Sequence, residues 1–200
     1  MSFDYNYKDP KFSYIDPVSG LLRNIPNLTQ ESELLFFEST TVSRRLLQLQ
    51  LKPIKITNSD SLLEIHRYLF QDVYEWAGKV RSVNISKNGK PFFDGERFPM
   101  GFKYIDTLMD DFERISSKNT IEISQKLAEI LDNLNFLHPF REGNGREQRE
   151  FIRVLSLQKG FSLNLNPPDN KNVHDRYMQG TIESNVQLLA DLIQELLIEL

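Results

Sequence analysis

The sequence predicts an all-α protein carrying one small β-hairpin, and three observations support that. Apolar residues recur at i, i+3 and i+4 spacing in stretch after stretch, each bounded by residues that cap or break helices. Only Val80–Phe93 alternates instead: Val83 and Ile85 sit among Ser82, Asn84 and Ser86, and Lys87-Asn88-Gly89-Lys90 turns the chain into Pro91-Phe92-Phe93. The 200 residues include no cysteine, so neither disulfides nor zinc-thiolate sites replace a packed core. A chain of this length buries such a core as one domain.

Residues 1–28 contain Pro10, Pro17 and Pro26, a turn at Asp16-Pro17-Val18-Ser19-Gly20, and interleaved Phe3, Tyr5, Tyr7, Phe12 and Tyr14. They read as an irregular arm packing its aromatics along the domain. The first long helix is expected from Thr29, its N-cap, to about Leu51, with Glu31 and Glu33 in its first turn and Pro53 closing it. Ser59 or Asp60 then caps a helix running to about Trp76, with Leu62, Ile65, Leu69, Val73 and Trp76 on one face and Gly78 ending it. His66 lies beside that stripe and reads as a packing residue, not a ligand. Phe98 to about Ser116 is amphipathic through Ile105, Leu108, Met109 and Phe112.

Thr120 or Ser124 begins a helix whose Leu127, Ile130, Leu131, Leu134 and Leu137 deliver the chain to His138. Another is expected to open at about Arg146, carry Phe151, Ile152, Leu155 and Leu157 inward, and stop at Gly160. Residues 161–165 form a short extended piece, and Val173–Ser184 a helix in which His174 is a surface residue. Val186, Leu189, Leu192, Ile193, Leu196 and Leu197 mark a terminal helix packed on the core.

Composition excludes some functions. Hydrophobic residues at 40%, charged residues at 26% and a net charge of −4 suit an ordinary globular protein. The absence of a basic stripe argues against a nucleic-acid or anionic-membrane surface. No apolar run approaches a membrane span, and the N-terminus lacks a cationic stretch followed by an apolar one. A cytoplasmic location is expected, in the producing cell or in a host cell after export.

The chemistry concentrates in Leu137-His138-Pro139-Phe140-Arg141-Glu142-Gly143-Asn144-Gly145-Arg146-Glu147-Gln148-Arg149. Glycines flanking an asparagine let successive backbone N–H groups face one concavity. The helix that follows adds a positive end equivalent to roughly half an elementary charge. Arg146 and Arg149, at i and i+3, leave one face of its first turn, and guanidinium suits phosphate through its planar, bidentate donors. Glu142 beside such a cradle is suited to Mg²⁺. His138, with an ordinary pKa near 6.5, is suited to act as a general base.

This stretch resembles the signature of the Fic (Fido) family, H-P-F-x-[D/E]-G-N-G-R-x-x-R, with no position departing. Ile65–Lys79 is similar to the family's early helix. The likeness spans about residues 59–200, so residues 1–58 become the arm and first helix packing on a Fic-type helical core. The resemblance implies protein adenylylation: AMP passes from ATP to a target Ser, Thr or Tyr hydroxyl and pyrophosphate leaves. His138 would then deprotonate the hydroxyl, and Glu142 would hold the Mg²⁺. Gly143, Asn144 and Gly145 would form the anion hole, Arg146 and Arg149 would take the outer phosphates, and Phe140 would anchor the loop.

The hairpin 80–93 resembles the family's flap, which implies a docking site for the target protein by strand addition and places Lys87 and Asn88 against the nucleotide. Many relatives carry an inhibitory [S/T]-x-x-x-E-[G/N] helix. Here the only glutamate followed by Gly or Asn is Glu142 itself. That absence implies a toxin whose Arg149 is blocked in trans by a glutamate of a small antitoxin-like partner. A phosphorylating branch, whose motif resembles A-N-K, is disfavoured by Gly143-Asn144-Gly145 and Glu142, and two alternatives stay open: a transferase of another nucleotide or donor, and a catalytically silent nucleotide-binding interaction module. Intact His138 and Glu142 favour catalysis over the last.

Overall fold

The computed structural model describes residues 5–7, 9, 13–87 and 89–200. Its centre is the helix α4 (Thr120–Leu137), started by Asn119, whose side chain accepts the Glu122 N–H at 3.2 Å. Ile123, Leu127, Ile130, Leu131 and Leu134 on it are fully buried, each contributing on the order of 1.5–3 kcal/mol. Around α4 pack α3 (Phe98–Arg114), α5 (Asn144–Gln158) and α7 (Val186–Leu196). The helix α2 (Asp60–Phe70) lies on α5, α1 (Glu31–Leu51) lies on α2, and α6 (Lys171–Glu183) lies on α7. No described helix is long and apolar enough to cross a membrane.

Several boundaries differ from expectation. Thr29 is not the cap of α1; Gln30 holds that position without a side-chain hydrogen bond. The second helix stops at Phe70 rather than Trp76, because the chain doubles back along it. Gly78 makes that return possible at φ 75°, since a Cβ there would lie 2.6 Å from the Arg67 Cβ. The return puts Val73, Tyr74 and Trp76 into the core together, Tyr74 and Trp76 stacked at 4.3 Å. The motif helix opens at Asn144, two residues early, with Gly143 left-handed at φ 84° as its cap.

The hairpin is present as β2 (Ile85–Lys87) and β3 (Lys90–Pro91), joined antiparallel. It does not stand alone. A strand β1 (Tyr5–Tyr7) pairs antiparallel with β2, Asn6 opposite Ser86, in the order β1-β2-β3. The arm is therefore extended there, not irregular, and it covers an edge that was expected to be open. A second small pair joins β4 (Phe161–Ser162) to β5 (Ile198–Glu199), beyond the end of α7. Of the arm's aromatics, Tyr14 is buried edge-on against Trp76 at 5.6 Å. Phe3 and Phe12 lie outside the described residues.

Candidate active site

The site is the loop between α4 and α5, fixed from beneath by aromatic stacking. Phe140 is fully buried against His66 at 3.7 Å, and His66 stacks in turn on Phe70 at 4.6 Å. Both nitrogens of His66 are committed: Nε2 donates to the Glu142 carbonyl at 2.9 Å, and Nδ1 accepts the Gly78 N–H at 2.9 Å. Burial pushes its pKa down to about 3, so the ring is neutral. His66 is thus a packing histidine, as the sequence suggested, and it also holds the loop. Asn144, expected at the anion hole, instead turns its side chain inward. It accepts from Phe140 N at 2.9 Å and donates to Phe140 O at 2.8 Å, closing the loop on itself. Its backbone N–H, with that of Gly145, lies in the first turn of α5.

His138 ends α4 in a left-handed conformation, φ 44° and ψ 59°. Its Nδ1 lies 3.2 Å from the Asn135 carbonyl, which only accepts, so Nδ1 carries the proton and Nε2 keeps the lone pair. Phe92 from the hairpin stacks on the ring at 3.8 Å. Burial, helped by the positive charges of Arg81 and Lys87, pushes the His138 pKa down to about 3. The imidazole is neutral across the physiological range.

Glu142 is half-exposed, accepts the Gly143 N–H at 2.9 Å and stands 3.5 Å from Arg146 Nη2. Arg146 makes a closer ion pair, 2.6 Å, with Glu38 of α1, and its guanidinium lies 4.7 Å over the Phe70 ring. Glu38 also accepts from Tyr74 Oη. Arg149 lies 5.4 Å over the Tyr177 ring of α6, with no carboxylate partner among the described residues. The two arginines, read alike from sequence, therefore stand differently: one is paired and the other is not. Lys87 approaches from β2 close enough for Glu142 to counter the lowering of its pKa by burial. Asn88 lies outside the described residues.

Among the described residues no group of three or more acidic or imidazole side chains is arranged to hold a metal ion. A lone half-exposed carboxylate beside an anion cradle fits Mg²⁺ only when phosphate oxygens and water complete its octahedron. A cavity of about 630 Å³ opens nearby between α3 and α4, lined by Phe93, Met100, Tyr104, Phe136 and Leu137 among others. None of its lining belongs to residues 138–149, so the chemistry is placed by its groups and not by the cavity.

Sequence reasoning missed three residues. Glu38 left a signal, since it interrupts the buried stripe of Leu34 and Val42 at four-residue spacing and so needed a partner. Tyr74, its hydrogen-bond donor, and Arg81, which binds the His138 carbonyl, left none.

Residues 56–156 match the Fic/DOC family, and the chain belongs to that family. It is 31% identical over 197 residues to protein adenylyltransferase VbhT of Bartonella schoenbuchensis, covering 96% of this chain but 40% of VbhT. It is also 31% identical over 163 residues to the probable protein adenylyltransferase Fic of Escherichia coli, covering 78% of this chain and 76% of that one. Among solved structures, the N-terminal Fic domain of a Bartonella quintana effector with bound ADP superposes with a TM-score of 0.81 at 23% identity, covering 93% of this chain and 94% of that one. BepC of Bartonella tribocorum, with bound AMPPNP, gives 0.81 at 20% identity, covering 94% and 98%. These two likenesses speak to the fold.

Proposed function

We propose that this chain is a protein adenylyltransferase, moving AMP from ATP to a Ser, Thr or Tyr hydroxyl of a target protein. The observation that carries this reading is His138: its Nδ1 faces the Asn135 carbonyl at 3.2 Å, which puts the ring proton on Nδ1 and the lone pair on Nε2, and the loop it begins ends in the glycine-flanked N-terminus of α5. The triphosphate would lie along the N-terminal end of α5, with the backbone of Gly143–Gly145 at its oxygens and Arg149 on the outer phosphates. Glu142 would hold Mg²⁺, which supplies charge neutralisation at the phosphates. His138 Nε2 takes the hydroxyl proton as the oxygen attacks the α-phosphorus, and the α–β bridging oxygen leaves with pyrophosphate. Arg146 must exchange part of its pairing with Glu38 or Glu142 to reach a phosphate.

The target would dock as an extended segment at the hairpin 80–93. We further read the unblocked Arg149 as the position where a small antitoxin-like protein would place a glutamate, making the chain the toxin of such a pair, acting in the cytoplasm of its producer or of a host cell.

The test uses purified protein, Mg²⁺, a cell lysate and ATP labelled at the α- or the γ-position. Label should enter protein from the α-position only. His138→Ala should lower it by about 10²–10⁴-fold while ATP binding persists. Transfer of γ-label, or full transfer by His138→Ala, would overturn the reading.

A further inference from the structure

Arg81 follows the return loop at Gly78 and, in sequence, looks like any solvated cation. It is only 3% exposed. Its Nε donates to the His138 carbonyl at 2.9 Å, its Nη1 to the Val83 carbonyl at 2.7 Å and to Asn84 Oδ1 at 3.2 Å, and its Nη2 to the Phe93 carbonyl at 2.5 Å. Its backbone N–H donates to the Pro139 carbonyl at 2.8 Å. The guanidinium lies 4.8 Å over the Phe98 ring. Val83 and Phe93 are the two sides of the hairpin's neck, one entering β2 and one leaving β3. A single planar group therefore closes the neck and fastens it to the backbone of the base.

The acceptors explain why arginine is needed. They are shared out among Nε, Nη1 and Nη2, which uses the spread fork of N–H donors on guanidinium, whereas a lysine presents three donors from one point. The carbonyl that Nε holds belongs to a residue in the left-handed region, a conformation that costs a non-glycine residue about 1–2 kcal/mol and persists only when its surroundings fix it. The Leu134 carbonyl fixes the His138 N–H at 3.0 Å, Arg81 fixes its carbonyl, and Phe92, next to Phe93, covers the ring.

We propose that Arg81 is a positioning residue that makes the hairpin and His138 one rigid body, so that a hydroxyl on a segment seated along the hairpin arrives in register with Nε2. This rests on the adenylyl-transfer reading, but part of its test does not. Arg81→Lys should speed amide hydrogen exchange in residues 83–93 and 137–140 together, leaving α2 and the rest of α4 unchanged. ATP binding, measured by calorimetry with Mg²⁺, should be unaffected. Transfer of α-label should fall by about 10²-fold, the scale of a 1 Å misplacement. Asn84→Ala, which removes one exposed acceptor, should move the same two segments less.

Faster exchange in 83–93 without any change in 137–140 would overturn the assignment, as would transfer at the wild-type rate. Loss of ATP binding and of the fold together would overturn it too, by making Arg81 a general core residue. If the unaltered protein transfers no label, the adenylyl-transfer reading fails while the exchange data still decide whether hairpin and base are coupled.

Discussion

Gly143 bears two constraints at once. Its φ of 84° disfavours any side chain, and a Cβ would lie 2.3 Å from Phe70 Cζ, under the ring that Arg146 covers. Gly143→Ala should destabilise the protein by about 2–5 kcal/mol, combining left-handed strain with overpacking against a buried ring. Gly145→Ala is a different case, because its Cβ would meet only Arg149 Nη1, at 3.3 Å. It should leave stability nearly unchanged while displacing that guanidinium and weakening ATP binding. Urea unfolding of both variants with calorimetry of Gly145→Ala checks this pair; equal stabilities would refute it. The same residues show what a sequence can and cannot reveal. Polar groups of the loop were legible because their chemistry is unusual at that spacing. The inward role of Asn144 was not, since an amide reads the same whether it binds an anion or the Phe140 backbone. Arg81 was invisible for a related reason: its partners are carbonyls of distant residues, and carbonyls leave no mark in a sequence.

Helices were legible from period and caps, and the errors fell where tertiary pairing overruled local pattern. The stripe through Val73 and Trp76 is helical in spacing, yet stacking of Tyr74 on Trp76 and the Arg45 ion pair to Asp72, 2.7 Å, are made by turns. The arm's strand was missed although Tyr5-Asn6-Tyr7 alternates, because three residues are too short a run for a period to separate strand from turn. That strand matters for docking. Phe92 N–H donates to the Ile85 carbonyl, so by antiparallel alternation Pro91 faces away from β2 and offers the outer edge of β3 no N–H. The complete edge is that of β2, and β1 occupies it with Asn6 opposite Ser86. A target segment adding a strand to β2 must displace β1. Asn6→Pro removes the backbone donor facing Ser86, a bond worth about 1 kcal/mol, and should raise α-label transfer to protein about fivefold with ATP binding unchanged. Lower transfer would instead make β1 part of the docking platform.

At the scale of the whole molecule, the buried groups around the loop pull stability in opposite directions with pH. His66 and His138 are held neutral with pKa values pushed down to about 3, against an unfolded value near 6.5. Below pH 6.5 the unfolded chain binds protons that the folded one refuses, so both histidines cost stability as pH falls from 6.5 toward 3. Glu147 does the reverse. It is fully buried, neither carboxyl oxygen has a hydrogen-bond partner among the described residues, and burial together with the charge of Glu150 raises its pKa well above the usual carboxylate range. The folded chain then holds a proton that the unfolded chain releases above about pH 4.5, so the stability Glu147 contributes is complete below that pH and lost as pH rises. Between pH 4.5 and 6.5 the two histidines outweigh the one glutamate. Glu147→Gln keeps the shape of the neutral acid and removes its titration. The ratio of unfolding constants, wild type over variant, should therefore grow about tenfold per pH unit from 4.5 upward until Glu147 ionises in the folded state. Urea unfolding at half-unit steps from pH 4.5 to 8 reads this directly. Parallel curves for the two proteins would mean that Glu147 is ionised in the folded core and has found a partner there.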